Sequence, residues 1–217
     1  MEWKTVAFER LQNLLFPPRC VFCDEVVLPG EGCCNRCDAA ERLTGTQAVR
    51  QLSEGTLYSC FRYGDAGRRS LAALKFHGQH APVAYYAQQM SALLTQHLGE
   101  MPFEVVTYMP MPPERERGRG YNQAKLLAQA LGALHGLPVD DCGLQKSDVL
   151  AQHDLNRSMR LKRPDAGLQL AAATAVQGRV LLVDDLATTG SSIAAGMRLL
   201  RRAGASQVVG ITIFSGI

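Results

Sequence analysis

A pair of adjacent carboxylates lies near the end of the chain and is followed closely by a turn rich in hydroxyl groups. The pair is Asp184 and Asp185, and the turn contains Thr188, Thr189, Gly190, Ser191 and Ser192. The apolar run at 180–183 predicts a strand and residues 192–203 predict a helix, so the turn would lie at the carboxyl edge of a parallel sheet, where α/β proteins bind ligands. Backbone N–H groups at a helix N-terminus bind phosphate, and a glycine lets the backbone approach it closely. The turn is therefore predicted to bind a phosphate monoester.

The two carboxylates would repel a phosphate bound beside them, so they are predicted to have a different partner. Carboxylates accept hydrogen bonds from vicinal ribose hydroxyls, either directly or through a magnesium ion. A phosphate on the turn and a diol on the acids together describe a ribose 5-phosphate. The alternative, a helix cap alone, explains one hydroxyl group but not the whole polar run. The sequence therefore predicts a site for 5-phosphoribosyl 1-pyrophosphate with Mg²⁺.

A second group of residues, three arginines in a charged segment, is predicted to lie at the same edge: Arg115, Arg117 and Arg119. The segment, 113–120, is predicted to be a loop between a strand at 103–109 and a helix at 121–135. Guanidinium groups bind pyrophosphate oxygens in bidentate pairs. Glutamates alternate with the arginines, so the alternative is a solvated loop whose charges neutralise one another. The neighbouring phosphate turn favours the hypothesis that the arginines stabilise a pyrophosphate leaving group.

Four cysteines form two C-x-x-C pairs that are ten residues apart: Cys20 and Cys23, then Cys34 and Cys37. This spacing lets four thiolates bind one tetrahedral zinc ion, and four thiolates leave no position for water, so a structural zinc is predicted. Residues 19–44 contain too few aliphatic side chains for a core, and metal binding would supply the folding free energy. The alternative is unliganded thiols in a small apolar pocket. Cys33 adjoins Cys34, but only Cys34 has the x-x spacing to Cys37.

Composition narrows the class of protein. The 217 residues are 47% hydrophobic and carry a formal net charge of +3, so any contact with nucleic acid depends on local basic clusters. No stretch reaches the roughly 18 apolar residues of a membrane span, and the charged N-terminus lacks the apolar run of a secretory signal. A cytoplasmic protein is predicted. In that reducing compartment the paired cysteines favour metal binding over disulfides, and Cys60 and Cys142 are predicted to be ordinary buried residues.

The predicted elements alternate between strands and helices. Strands are predicted at 56–63, 103–109, 179–183 and 207–214, and helices at 3–16, 66–76, 83–98, 121–135 and 192–203. Strand, helix and strand at this spacing predict a parallel α/β architecture. Residues 145–165 are polar and are predicted to form a long loop. A boundary is expected near Gly55, with the leading helix and zinc-binding ribbon in residues 1–54 and the main domain in residues 55–217.

The order of these motifs resembles the ComF family, bacterial phosphoribosyltransferase-like proteins tied to competence and to the use of imported DNA. Residues 180–192 match the signature of type I phosphoribosyltransferases, and residues 113–123 are similar to the family's Arg-rich, Gly-aromatic-Asn-Gln segment. The four-cysteine ribbon and the Leu-Lys-Phe-His-Gly segment at 74–78 precede them in the family's order. The resemblance implies an α/β fold: a type I phosphoribosyltransferase-like core with a mostly parallel sheet flanked by helices, plus a small N-terminal zinc ribbon.

One stretch departs from the family pattern before the last strands. Positions that match are Gln152, Leu155 and Arg160, and positions that differ are Val149, in place of a threonine, and Arg163, in place of an asparagine. In type I enzymes a loop in this region closes over the reaction. The departure therefore concerns catalysis more than binding.

Two functions follow from these observations. The first is a phosphoribosyltransferase that displaces magnesium pyrophosphate from C1 of the ribose, with an acceptor that the sequence does not identify. The second is a non-catalytic adaptor that binds phosphoribosyl pyrophosphate or single-stranded DNA in a DNA-uptake complex, on a surface formed by Arg68, Arg69, Lys75, Arg157, Arg160, Lys162 and Arg163. The resemblance implies single-stranded DNA, a competence helicase and a recombination mediator as partners. No run of aromatic residues alternates with the basic ones, as base stacking would require.

Overall fold

The computed structural model describes residues 16–76, 81–147 and 167–216. The helices are α1 Asn35–Glu41, α2 Asp65–Phe76, α3 Ala81–Leu98, α4 Pro113–Arg119, α5 Gln123–His135 and α6 Ser191–Arg202, with a 3₁₀ turn at Gly45–Ala48. The strands are β1 Val49–Leu52, β2 Gly55–Arg62, β3 Val105–Tyr108, β4 Leu144–Lys146, β5 Leu168–Leu170, β6 Arg179–Ala187 and β7 Gln207–Ser215. The predicted helix at 3–16, apart from its last residue, and the departing family positions at 149–163 lie outside the described residues.

The main sheet has five strands in the order β1-β2-β7-β6-β3. All its pairs are parallel except that between β1 and β2. Strands β4 and β5 form a separate two-stranded antiparallel hairpin. The predicted α/β class with a mostly parallel sheet is confirmed. Because β1 belongs to this sheet, the sheet begins before the boundary expected near Gly55.

Helices cover both faces of the sheet, which explains the uninterrupted apolar run in β6. Successive side chains of a strand point to opposite faces. Leu181 and Val183 belong to the apolar cluster that includes residues of α3 and α5. Val180 and Leu182 belong to the cluster that includes residues of α6. The end of β6 is therefore held rigidly from both sides.

Strand β6 is longer than predicted. It continues through Ala187 instead of ending at Val183, because its ladder with β7 continues with Asp184 opposite Thr212 and Leu186 opposite Phe214. The two carboxylates, predicted to begin a loop, are therefore residues of an extended strand. Pairing with β7 therefore fixes the backbone of the two acids relative to the sheet.

The charged segment after β3 is a helix and not the predicted loop. Helix α4 begins with Pro113 in its first turn, where proline is tolerated, and ends at Gly120 with a left-handed φ of 86°. Its acidic residues lie in the first turn, and Arg117 and Arg119 lie in the last, which complements the helix dipole. Similarly, the polar stretch predicted as a loop from 145 begins within β4.

The cysteine-containing segment packs on the edge of the same core. The ring of Phe22 contacts Phe61 edge-on at 5.2 Å between centroids, and Phe214 at 6.2 Å. Gly32 lies so close to the ring of Tyr85 that a Cβ there would collide with it. The ribbon is therefore held against β2, β7 and α3 by aromatic packing as well as by its own cysteines.

Candidate functional site

A cavity of about 250 Å³ lies at the carboxyl edge of β3 and β6. The two strands pair in parallel, with Tyr108 opposite Val183, so the segments that follow them meet at this edge. The cavity contains all but one of the residues predicted for the ribose, phosphate and pyrophosphate: Arg115, Arg119, Asp184, Asp185, Thr188, Thr189, Gly190, Ser191 and Ser192. The exception is Arg117.

The acidic pair forms one wall of the cavity. Asp184 and Asp185 are both half-buried, and the backbone N–H of Asp185 donates to Oδ1 of Asp184 at 2.8 Å. Burial, followed by the charge of Asp185, raises the pKa of Asp184 well above its ordinary value. Two close carboxylates in this position favour a ligand that brings hydroxyl donors or a hard cation, because either relieves their repulsion.

The hydroxyl-rich turn lines the same cavity. Gly190 precedes α6 with a φ of 78°, and a Cβ added there would lie 3.2 Å from Cδ2 of Leu52. Both facts favour glycine, since side chains rarely adopt this conformation and the space is limited. The hydroxyl of Thr189 lies 2.8 Å from that of Ser191 and accepts a hydrogen bond from the Ser191 N–H at 3.3 Å. Thr188, Thr189 and Ser192 are exposed, so their hydroxyls and the helix N-terminus are open to an anion.

An arginine that the sequence analysis missed supports this turn from behind. Arg50, on β1, donates from Nη1 to the carbonyl of Thr188 at 3.0 Å and from Nη2 to Oγ of Ser215 at 2.7 Å. No local sequence signal links β1 to the turn, because the contact depends on the strand order. The bonds fix the backbone of the turn relative to the sheet.

The basic wall of the cavity comes from one face of α4. Arg115 and Arg119 are four residues apart, so they share a helix face and both line the cavity. Arg117 is two residues from each and therefore points away from that face; the structure does not bring it to the cavity. Nη1 of Arg119 donates to Oε1 of Gln123 at 2.7 Å.

The start of α5 adjoins these arginines. Oδ1 of Asn122 caps the helix by accepting from the N–H groups of Ala124 and Lys125, at 2.9 and 3.4 Å. Nδ2 of Asn122 donates to the carbonyl of Met109 at 3.0 Å, which ties the helix to the segment after β3. This buried asparagine therefore sets the position of the whole β3 side of the cavity.

Lys146 is a third cation of the cavity, and the sequence analysis also missed it. It lies in β4, at the end of the hairpin, and lines the same cavity as the acidic pair. Its charge favours the ionised form of Asp184, in opposition to burial and Asp185, which raise the pKa of that carboxyl. The stretch had been predicted to be a loop, which gave no reason to place Lys146 here.

The four paired cysteines form a separate cluster. The Sγ atoms of Cys20, Cys23, Cys34 and Cys37 lie within 4.8 Å of one another, and those of Cys23 and Cys34 are 3.7 Å apart. Four sulfurs at tetrahedral zinc bond lengths are about 3.8 Å apart, so the cluster could hold a metal such as zinc.

Hydrogen bonding and burial distinguish the thiols of this region. Burial opposes ionisation of Cys20, but the N–H groups of Cys34, Phe22 and Cys23 outweigh it and lower the pKa of Cys20 to about 6. Cys33 is not one of the four mutually close sulfurs, although its Sγ lies 4.0 Å from that of Cys20, and burial followed by the charge of Cys20 raises its pKa to about 12. Cys33 is therefore a protonated thiol at neutral pH.

The remaining two cysteines are buried in the core, as the sequence analysis expected. Burial raises the pKa of Cys60 to about 12 and that of Cys142 to about 11, so both are protonated thiols at neutral pH. Among the helices of the described ranges, none has the length and apolar character needed to cross a membrane.

Strand order, flanking helices and the four-cysteine cluster define the chain as an α/β protein with a mostly parallel sheet and a possible metal site near its N-terminus. It is 30% identical over 183 residues to competence protein ComFC of Streptococcus pneumoniae, a match that covers 82% of this chain and 79% of that protein. The chain belongs to the ComF family.

Other relatives have similar names. Competence protein ComFC of Bacillus subtilis is 27% identical over 156 residues, 71% of this chain and 62% of that protein. DNA utilization protein YhgH of Escherichia coli O157:H7 is 34% identical over 111 residues, 50% of this chain and 48% of that protein. No protein-family model matches the chain.

Two solved structures are also similar. Adenine phosphoribosyltransferase from Thermoanaerobacter pseudethanolicus has a TM-score of 0.38 and 14% identity, over 64% of this chain and 82% of that one. Orotate phosphoribosyltransferase from Aeropyrum pernix has a TM-score of 0.35 and 18% identity, over 82% of this chain and 76% of that one.

Proposed function

We propose that the cavity binds 5-phosphoribosyl 1-pyrophosphate together with Mg²⁺. The observation that carries this proposal is that the acidic pair, Asp184 and Asp185, lines one cavity together with the turn before α6 and the arginine face of α4. The turn offers N–H groups and hydroxyls for the 5-phosphate. The acids offer acceptors for the ribose diol. Arg115 and Arg119 offer donors for the pyrophosphate at C1.

The Mg²⁺ ion fits the chemistry of this site, since carboxylate oxygens are its preferred protein ligands. Asp184 and Asp185 would hold it, directly or through water, and when bound it would neutralise part of the charge on the pyrophosphate. The pKa of Asp184, raised by burial and by Asp185, supports a need for such a cation. The proposal assigns no ligand role to Arg117, which lies on the far side of α4.

As an enzyme, the protein would transfer the phosphoribosyl group to a nucleophile. A bond from the nucleophile to C1 forms while the bond from C1 to the pyrophosphate oxygen breaks, and the bonding electrons leave with pyrophosphate. Positive charge develops on the sugar, and the two acids are placed to stabilise it. The guanidinium groups of Arg115 and Arg119 stabilise the leaving group, and the acceptor supplies the proton that is released.

Calorimetric titration of Mg-phosphoribosyl pyrophosphate tests the binding proposal. We expect saturable binding to the wild type and its loss in Asp184→Asn/Asp185→Asn. A matched control exists in the chain, because Asp140 and Asp141 are also adjacent but do not line the cavity. The control Asp140→Asn/Asp141→Asn should bind normally. Wild-type protein that does not bind the compound would sink the proposal.

The names of the relatives support a role in competence or in the use of imported DNA. ComFC proteins are named for competence, and YhgH is named for DNA utilization. We place this chain in the same kind of process, with single-stranded DNA, a competence helicase and a recombination mediator as proposed partners. A pull-down with each purified partner checks this assignment, and loss of transformation in a deletion strain checks the process.

Direct contact with DNA is the second candidate, and one local feature favours it. Arg68 and Arg69 are exposed on α2, and the guanidinium of Arg68 lies 5.7 Å from the ring centre of Tyr63. Arginine beside an aromatic ring occurs in single-strand binding sites. If this surface binds DNA, affinity falls steeply with salt and the slope decreases in Arg68→Gln/Arg69→Gln. Salt-independent or absent binding would remove this candidate.

The four-cysteine cluster is proposed to hold one structural zinc ion. Four sulfurs within 4.8 Å of one another favour a cation, and burial together with Cys23 raises the pKa of Cys37. Bound zinc would link the two C-x-x-C pairs and stabilise the ribbon.

We also propose that residues 1–54 and 55–217 are two folding units. Strand β1 belongs to the first unit by sequence and pairs with β2 of the second, so it connects the first unit to the sheet.

A further inference from the structure

Gln123 is a buried residue of the cavity wall. It is the first residue of α5, it lines the cavity, and only 2% of its surface is exposed. A glutamine this deeply buried needs partners for both ends of its carboxamide.

One end of the carboxamide has a partner and the other does not. Oε1 accepts from Nη1 of Arg119 at 2.7 Å. Arginine has donors only, so it fixes which end of the amide faces it and leaves Nε2 as the remaining donor. Within the described ranges Nε2 has no hydrogen-bond partner, although it is buried. An unsatisfied buried donor is costly and therefore points to an acceptor that arrives with a ligand.

The surroundings of Gln123 select the chemistry of that acceptor. Arg115 and Arg119 line the same side of the cavity, and the N-terminus of α5 adds partial positive charge. An anionic oxygen is the acceptor that fits all these donors. Asn122 fixes the helix start through its bond to the carbonyl of Met109, so the donor is preorganised.

On the basis of the proposed function, we infer that Nε2 of Gln123 donates to a pyrophosphate oxygen of the bound substrate. The 5-phosphate occupies the turn before α6 and the ribose lies on the acidic pair, so the pyrophosphate extends toward α4 and α5. Gln123 also holds the guanidinium of Arg119 in place. It is thus a binding residue for pyrophosphate that makes no contact with the 5-phosphate, and it distinguishes the full substrate from ribose 5-phosphate.

The test compares three probes on variants of one helix. Calorimetry measures binding of Mg-phosphoribosyl pyrophosphate, Mg-pyrophosphate and ribose 5-phosphate to the wild type and to Gln123→Met, which keeps the length but loses the amide. Gln129→Met is the matched control, because Gln129 is exposed on the same helix. We expect Gln123→Met to weaken the two pyrophosphate probes at least tenfold and to change ribose 5-phosphate less than twofold. The control should bind all three normally.

The outcomes separate this inference from the proposed function. Wild-type protein that binds none of the probes overturns both. Normal binding of both pyrophosphate probes by Gln123→Met overturns the inference alone, as does an equal loss for all three, which would indicate a purely structural role. Gln123→Glu is a second variant that guards against a folding defect. It keeps an acceptor for Arg119 but replaces the amide donor with a negative charge. It should no longer bind the pyrophosphate probes, and its melting temperature should stay near that of the wild type.

Discussion

Nη1 of Arg50 donates to the carbonyl oxygen of Thr188 at 3.0 Å, across 138 residues of sequence. The same guanidinium reaches Oγ of Ser215 at 2.7 Å. An edge strand thereby holds the turn at the end of β6, through an arginine that does not line the cavity. Such a contact would lower the ordering cost of the phosphate binding proposed for the turn.

Arg50→Gln is expected to weaken the 5-phosphate site. Loss of the guanidinium frees the Thr188 carbonyl, and a hydrogen bond to a charged group contributes about 1.5–3 kcal/mol. Both ribose 5-phosphate and phosphoribosyl pyrophosphate should bind about tenfold or more weakly, since both carry the 5-phosphate. Calorimetry provides the measurement, with Arg62→Gln at an exposed arginine of β2 as control. Loss of pyrophosphate binding alone would contradict this role for Arg50.

Gly190→Ala is expected to destabilise the protein and to impair phosphate binding. Its φ of 78° and the contact of an added Cβ with Leu52 at 3.2 Å both oppose a side chain. The conformational strain alone costs about 1–2 kcal/mol. Chemical denaturation measures the loss. Gly118→Ala in α4 is the control, because an added Cβ there meets nothing within 4 Å, and it should be neutral or stabilising. Equal effects of the two substitutions would contradict the account.

Asp184→Asn is expected to stabilise the free protein in a manner that depends on pH. Burial and Asp185 raise the pKa of Asp184 above its unfolded value, so the folded state binds more protons. The wild type's free energy of unfolding therefore decreases as pH rises from about 4 through the raised pKa. The variant lacks this loss, so its advantage should be small near pH 4 and should grow as pH rises through the raised pKa.

Urea denaturation of both proteins at each pH gives this difference directly, and the comparison cancels the titration of groups they share. A difference that is constant across the range would show that Asp184 has an ordinary pKa. In wild-type protein, added Mg²⁺ should reduce the difference, because a cation at the acidic pair relieves the same repulsion.

Cys34→Ser and Cys33→Ser are expected to differ in metal content. Sγ of Cys34 lies within the four-sulfur cluster, 3.7 Å from that of Cys23, whereas the pKa of Cys33 is raised to about 12 and its thiol stays protonated. The Cys34→Ser protein should lose most of its zinc, and its ribbon should unfold at a lower temperature than that of the wild type. Cys33→Ser should retain about one equivalent. Elemental analysis measures the zinc content and thermal unfolding measures the stability of the ribbon. Zinc loss in Cys33→Ser but not in Cys34→Ser would show that Cys33 is the ligand.

The proximity of the acidic pair to the hydroxyl-rich turn could be predicted because all their residues belong to one short segment. Local spacing places Asp184 before Gly190 whatever the rest of the fold does. The parallel architecture was likewise predictable, since the buried strand at 180–183 and the amphipathic helix after it are strong local patterns. Successive residues of β6 pack against helices on opposite faces of the sheet, which explains why its apolar run is uninterrupted.

The residues that were missed depend on contacts that sequence spacing does not encode. Arg50 reaches the turn through strand order, and Lys146 reaches the cavity through a hairpin with β5. Arg117 was grouped with its neighbours because alternating arginines suggest one surface in a loop. In a helix, residues two apart point in different directions, so only Arg115 and Arg119 remain together.

A crystal structure of the protein with Mg-phosphoribosyl pyrophosphate tests the central claim most directly. The account predicts the 5-phosphate on the turn from Thr188 to Ser192, the ribose hydroxyls or Mg²⁺ on Asp184 and Asp185, and the pyrophosphate beside Arg119. A ligand in the reverse orientation, or a cavity that stays empty at saturating concentration, would contradict it.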